Sequence, residues 1–165
     1  MFSVNDYIMY GTTGVCKVLD IKKEKGINDV EEDYYVLHPV YVENGIIKIP
    51  VSNDKIFMRS ILSEEEVTTI IKNIPDYETI WEDDGKKRNE KFKSILKMGE
   101  CEGWIKLIKS IKLKKKQNKS VGRNMYQADE EIMKSAKKLL FEEFATVLKI
   151  QPDEVNSYIT SHENV

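Results

Sequence analysis

Cysteine is scarce in this chain, and so are the other residues that anchor covalent or metal chemistry. Cys16 and Cys101 lie far apart and form neither a metal-ligand spacing nor a redox pair. Both are expected to be reduced, buried thiols of a cytoplasmic protein. The two histidines, His38 beside Pro39 and His162 near the end of the sequence, have no nucleophile or acid nearby in sequence. No apolar run approaches the ~20 residues that span a bilayer. The start, Met1-Phe2-Ser3-Val4-Asn5-Asp6, lacks the basic and apolar regions of a secretory leader. The one glycine-rich element, Gly11-Thr12-Thr13-Gly14, lacks the lysine and following helix of a phosphate loop. Glu64-Glu65-Glu66 gathers carboxylates, but at a helix first turn, where the helix dipole favours them. The expectation is a protein that is not an enzyme, with no cofactor, no metal site and no membrane partner.

What the chain does have is segregated charge. Between Lys86 and Arg123, 14 Lys/Arg stand against three acids (Glu90, Glu100, Glu102), a local excess of +11. The whole chain sums to −2, so the remainder carries −13. A basic block inside an acidic protein is an electrostatic footprint for a polyanion. Trp81 at its leading edge, in Ile80-Trp81-Glu82-Asp83-Asp84-Gly85-Lys86-Lys87-Arg88, suggests contact with bases as well as phosphates. The competing reading of the same residues is a solvated lysine face with Trp81 as a core anchor.

Residues 1 to about 60 read as strands. Tyr7-Ile8-Met9-Tyr10 is followed by a Gly11–Gly14 turn and a largely alternating Val15–Ile21 run. Tyr34-Tyr35-Val36-Leu37 forms the next strand, with Val40-Tyr41-Val42 beyond Pro39. Asn44-Gly45 is a hairpin signal leading to Ile46-Ile47-Lys48-Ile49. Short strands at this spacing predict a small, strongly bent barrel. At Ser63 the period changes. Ser63 and Glu66 form a capping box, with Val67, Ile70, Ile71 and Ile74 on one helical face before Pro75. A second helix starts around Lys86, buries Phe92, Ile95 and Leu96, and ends at Gly99. A third carries Trp104, Leu107, Ile108 and Ile111 as core, and Lys114–Arg123 reads as an exposed basic loop. The fourth and longest buries Ile132 to Leu148, and Pro152 opens a short last helix. The expected fold is α+β: a β domain at 1–60, then an all-α domain of about five helices at 61–165.

Read together, the runs MFSVNDYIMYGTTGVCKVLDI, DYYVLHPVY and NGIIKIPVSN resemble the N-terminal module of the CarD/CdnL family of bacterial transcription regulators. That module is related to the polymerase-interacting domain of the transcription-repair coupling factor. Phe2, Asp6, Tyr10, Gly14-Val15, Tyr35-Val36-Leu37 and Pro50-Val51-Ser52-Asn53 follow the pattern. Asn5, Gly11 and Cys16 depart from it. The likeness continues through Trp81, Ser94–Glu100 and the long helix with Ala136, Leu140 and Glu143.

The resemblance implies a Tudor/SH3-like barrel and a specific division of labour. The β module would bind the RNA polymerase β subunit, through Lys48 with Ile47 and Ile49, and a second basic cluster that includes Lys23 and Lys25. The helical module would bind promoter DNA in the minor groove, largely independent of sequence. Trp81 would act as a wedge at the upstream edge of the melted bubble, with Lys86, Lys87, Arg88 and Lys91 on phosphates. This would stabilise the open complex. Here Glu82-Asp83-Asp84-Gly85 separates the tryptophan from its basic residues. A cytoplasmic, nucleoid-associated monomer is the expected state, and a protein-only polymerase adaptor is the alternative.

Overall fold

The computed structural model describes residues 1–163 and divides into two compact units, Met1–Ile61 and Leu62–Val165. The first is an antiparallel sheet of five strands: β1 (Tyr7–Tyr10), β2 (Gly14–Lys25), β3 (Glu31–Pro39), β4 (Ile47–Pro50) and β5 (Met58–Ser60). Their spatial order is β4-β3-β2-β1-β5. Ile8, Tyr10, Cys16, Val18, Tyr35 and Leu37 form one buried cluster. Ile47 and Ile49 from one edge strand and Met58 from the other pack against it. Both edges therefore curl over the same core, which makes the sheet a bent, barrel-like shell whose ladder stays open between β4 and β5.

Three features of this unit depart from the sequence reading. Strand β2 runs on to Lys25, paired residue by residue with β3 as far as Lys25 opposite Glu31. A register shift between Val18 and Asp20 leaves Leu19 on the exposed side, which explains the slip in alternation there. Val40-Tyr41-Val42 is not a strand: β3 ends at Pro39, and a loop carries the chain to β4, with Asn44 at φ 57°. Pro39 has no N–H to donate, and a tight two-residue turn gives way to a wide connection.

The second unit holds α1 (Glu64–Asn73), α2 (Gly85–Met98), α3 (Cys101–Ser120), α4 (Gln127–Leu148) and α5 (Val155–His162). Single 3₁₀ turns at Ile74–Asp76 and Pro152–Glu154 precede α2 and α5. Both halves of the Ser63–Glu66 capping box form, with Ser63 N–H donating to Glu66 Oε2 at 2.7 Å. Asp84 caps α2 by accepting from Lys87 N–H at 2.9 Å, and Gly99 closes it at φ 78°. Phe92, Trp104, Leu107, Ile111, Leu139 and Phe144 form the buried interior.

Inside that interior, Glu143 accepts from the Leu62 N–H at 3.0 Å and from the Cys101 thiol at 3.1 Å. It ties the first residue of the unit and the start of α3 to α4. The basic loop expected from Lys114 to Arg123 is instead two further turns of α3, which ends only at Ser120. Lysine is a good helix former, and no breaker intervenes before Gly122, at φ 70°. Among the described residues, no helix is long and apolar enough to cross a membrane.

Candidate functional site

In the helical unit, the segment carrying Trp81 is held on both sides by side chains of neighbouring helices. The Ile80 N–H donates to Ser110 Oγ at 2.7 Å, and Ser110 in turn donates to the Lys106 carbonyl. The Ile80 carbonyl accepts from Lys91 Nζ at 3.1 Å. One residue past Trp81, the carbonyls of Glu82 and Asp83 accept from Arg88 Nη1 at 2.9 and 3.3 Å. The acidic residues that separate Trp81 from the lysines thus build a turn. Glu82 accepts from the Asp84 N–H, and Asp84 starts α2.

The ring of Trp81 is half-buried. Its edge meets Phe92, with centroids 6.2 Å apart and planes at 67°, a favoured aromatic geometry. The Arg88 guanidinium lies 4.3 Å from the ring centroid and Lys114 Nζ 5.6 Å from it. Cations at these distances are attracted to the negative face of an indole. Arg88 also lies 5.8 Å from the ring of Tyr126, which is 73% exposed.

Arg88 corrects the sequence reading. It is only 3% exposed and donates from Nε and Nη2 to both oxygens of buried Asp129, at 3.0 and 2.9 Å. Four of the five guanidinium N–H donors are taken by this carboxylate and the two carbonyls, and the group is buried, which leaves it poorly placed for a phosphate. Its role is to hold the Trp81 turn against α4. Lys86 and Lys87 are exposed on the first turn of α2, with no side-chain partner. Lys91 is exposed on the next turn and reaches back to Ile80. The structure therefore gathers Trp81, Lys86, Lys87 and Lys91 around one turn and adds Lys114 and Tyr126.

Sequence reading missed those last two for different reasons. Lys114 was assigned to a loop, whereas an unbroken helical pattern up to Gly122 places it on α3 facing Trp81. Tyr126 stands alone in a polar stretch. The one signal is Asp129 three residues later, a carboxylate inside the helical pattern whose burial required a cation.

In the β unit, β4 is an edge strand with β3 as its only strand neighbour. Ile47 and Ile49 turn their side chains toward the unit's own core and stand half-buried against it. A period-2 strand sends alternate side chains to opposite faces, so Lys48 points the other way. What β4 offers outward is Lys48 and a free backbone edge. Lys48 Nζ is 2.6 Å from Glu24 Oε1, both partly exposed. The second basic cluster is interleaved with acid. Lys23 pairs with Asp33 and Lys25 with Glu31 across the ladder, and Lys25 Nζ also lies 3.1 Å from Asp29. Beside β4, the 40–46 loop exposes Tyr41, Val42 and Ile46 around an open concavity of about 850 Å³. His38 braces that loop by donating from Nδ1 to the Gly45 carbonyl at 2.7 Å.

The comparisons bear on the β unit. No curated protein matches the chain. Residues 2–62 match the family model of the CarD-like/TRCF RID domain, a span that coincides with the five-stranded unit. Over these residues the chain is similar to the CarD-like/TRCF RID domain, which supports a transcription-related protein that interacts with RNA polymerase.

Proposed function

We propose that the chain regulates transcription without catalysis, binding the RNA polymerase β subunit with one unit and promoter DNA with the other. The polymerase contact uses the free edge of β4, with Lys48 beside it. Strand addition to an exposed edge supplies main-chain hydrogen bonds, and a nearby cation steers an acidic partner. The DNA contact uses Trp81, Lys86, Lys87 and Lys91, with Lys114 and Tyr126 on the same face. The observation that carries this reading is Trp81 itself. A half-buried indole gripped by Arg88, with unpaired lysines one turn away, has the composition of an apolar wedge flanked by phosphate contacts.

Such a wedge at the upstream edge of a melted promoter slows its closure and stabilises the open complex. Readout in the minor groove is degenerate, so the contact is largely independent of sequence. On this reading the protein works as a monomer in the cytoplasm, on the nucleoid.

A second reading, a polymerase adaptor with no DNA contact, is favoured by one observation: Arg88 is committed inside the fold and Asp83 stays exposed beside the lysines. One experiment separates the two. Open-complex lifetime and polymerase affinity are measured for the full chain, for Lys48→Glu and for Trp81→Ala. Lys48→Glu is expected to weaken polymerase binding at unchanged melting temperature. Trp81→Ala is expected to bind polymerase normally and to remove on the order of 1–3 kcal/mol of stacking from the open complex. An open-complex lifetime unaffected by Trp81→Ala, together with no binding to a fork-junction oligonucleotide, selects the adaptor.

A further inference from the structure

One concavity of the helical unit involves none of the residues assigned to the polymerase or DNA contacts. Ile105, Ile108, Leu140, Phe141 and Ile159, from α3, α4 and α5, line a cavity of about 510 Å³ with Ile74 and Pro75 at its rim. This volume falls within the roughly 300–1,000 Å³ of small-molecule sites. The lining sets these apolar side chains beside three lysines, so hydrocarbon and cationic surface meet in one cavity.

Three lysines reach it. Lys109 is satisfied within the fold, with Nζ donating to the carbonyls of Ile74, Pro75 and Tyr77 at 2.7, 3.2 and 2.6 Å. It secures the 3₁₀ turn that forms one wall. Lys112 and Lys137, on facing helices, have no anionic partner among the described residues. Burial, and then the like charges of Lys112 and Lys115, lower the Lys137 ammonium below its ordinary value. Lys115 itself is paired with Glu130 at 2.8 Å. Glu163 is the one carboxylate that lines the cavity among the described residues, and Asn156 and Thr160 supply neutral polar groups.

We propose that this cavity binds a small amphiphile bearing a single carboxylate, its hydrocarbon body on the apolar lining and its carboxylate between Lys112 and Lys137. Among the described residues three ammonium groups, Lys109, Lys112 and Lys137, stand against one carboxylate, Glu163, so the site carries an excess of positive charge that an anionic head group offsets. A polyphosphate or a DNA backbone would meet Glu163 with its excess charge and would leave the apolar lining uncovered. A neutral hydrocarbon would fill the cavity but leave the partly dehydrated Lys137 ammonium without a counter-charge. Charge and lining together favour an amphiphilic anion.

The test uses the full chain and decanoate as the probe, below its micelle concentration, followed by amide chemical shifts. Saturable shifts are expected at the α3, α4 and α5 residues that line the cavity and not at Trp81. Decanol should bind at least about tenfold more weakly, and acetate should leave the spectrum unchanged. Lys137→Gln should lower decanoate affinity about tenfold without changing the fold, and Lys112→Gln should act in the same direction. The proposal is overturned if decanoate gives no saturable shifts, if decanol binds as tightly, or if both glutamine variants bind like the parent. A short DNA duplex that shifts the same amides and competes with decanoate would also overturn it. The outcome is independent of whether the Trp81 face binds DNA.

Discussion

The helical unit contains two tryptophans whose surroundings differ in kind. Trp104 is wholly buried in α3, and its indole N–H donates to the Leu96 carbonyl at 3.3 Å. Trp81 lies on a braced turn outside any helix, half-exposed, against one aromatic edge and two cations. One ring is enclosed in the core with its single donor met by a carbonyl. The other is fixed by the polar backbone around it, which leaves part of its surface free for something outside the protein. Residue type alone does not separate a core anchor from a contact residue. What separates them is whether the ring is fully enclosed or is left partly open beside charged groups.

Removing Trp104 tests the first half of this contrast and has the largest expected effect. Trp104→Ala should lower stability by about 3–5 kcal/mol, the usual penalty for deleting a large buried aromatic, and unfold the helical unit first. Denaturant unfolding followed by far-ultraviolet circular dichroism reads it. A change below about 1 kcal/mol, the level of an exposed site, would erase the distinction between the two rings.

Arg88→Met comes next, because it breaks the bracing of Trp81 rather than the ring itself. It leaves the Asp129 carboxylate buried without its partner, and breaking one side of a buried pair costs about 3–5 kcal/mol. Methionine retains part of the lost packing, so the low end of that range is expected. The double variant Arg88→Met/Asp129→Leu should recover most of the loss, which a surface arginine would not do.

How much of this was legible beforehand depends on the range of the interactions concerned. The capping box at Ser63, the stop at Gly99 and the proline opening the last helix are local devices, readable within four residues, and each stands where the sequence placed it. Trp104 was legible because its apolar partners recur at helical spacing. The place of Arg88 was not, since its partner Asp129 is 41 residues away and nothing local distinguishes that arginine from Lys86 or Lys87. Strand β5 was missed because three residues, Met58–Ser60, show too little alternation. It forms through its pairing with β1. The lysines of α3 misled in the opposite direction: a polar run looks like a loop, although lysine propagates a helix readily.

Trp81→Ala tests the second half of the contrast on stability alone. The ring makes one edge-to-face contact and two cation contacts, and terms of about 0.5–1.5 and 0.5–1 kcal/mol are typical of each kind. A loss of about 1.5–3.5 kcal/mol is therefore expected, smaller than the Trp104 value, with the helical unit still folded. Equal losses at the two positions, measured in the same denaturant series, would make Trp81 a core residue and remove the basis for a wedge.

The smallest effect on stability, and the most direct one on function, belongs to Lys86 and Lys87. Both are exposed and unpaired on the first turn of α2, where a positive charge opposes the helix dipole. Neutralising either should therefore leave stability within about 0.5 kcal/mol of the parent, the usual range for surface substitutions. Their charge is useful only to an anionic partner. If each neutralises one phosphate, Lys86→Gln should weaken binding to a fork-junction oligonucleotide and reduce the slope of log affinity against log salt by about 0.9. Lys87→Gln should do the same, and the double variant should reduce the slope by about twice as much, because separate phosphate contacts release counterions independently. Arg88→Met should leave that slope unchanged once its lower stability is allowed for, since Arg88 is already neutralised by Asp129. A slope that falls for Arg88→Met but not for the lysines would reverse the assignment and require the buried pair to open when DNA binds.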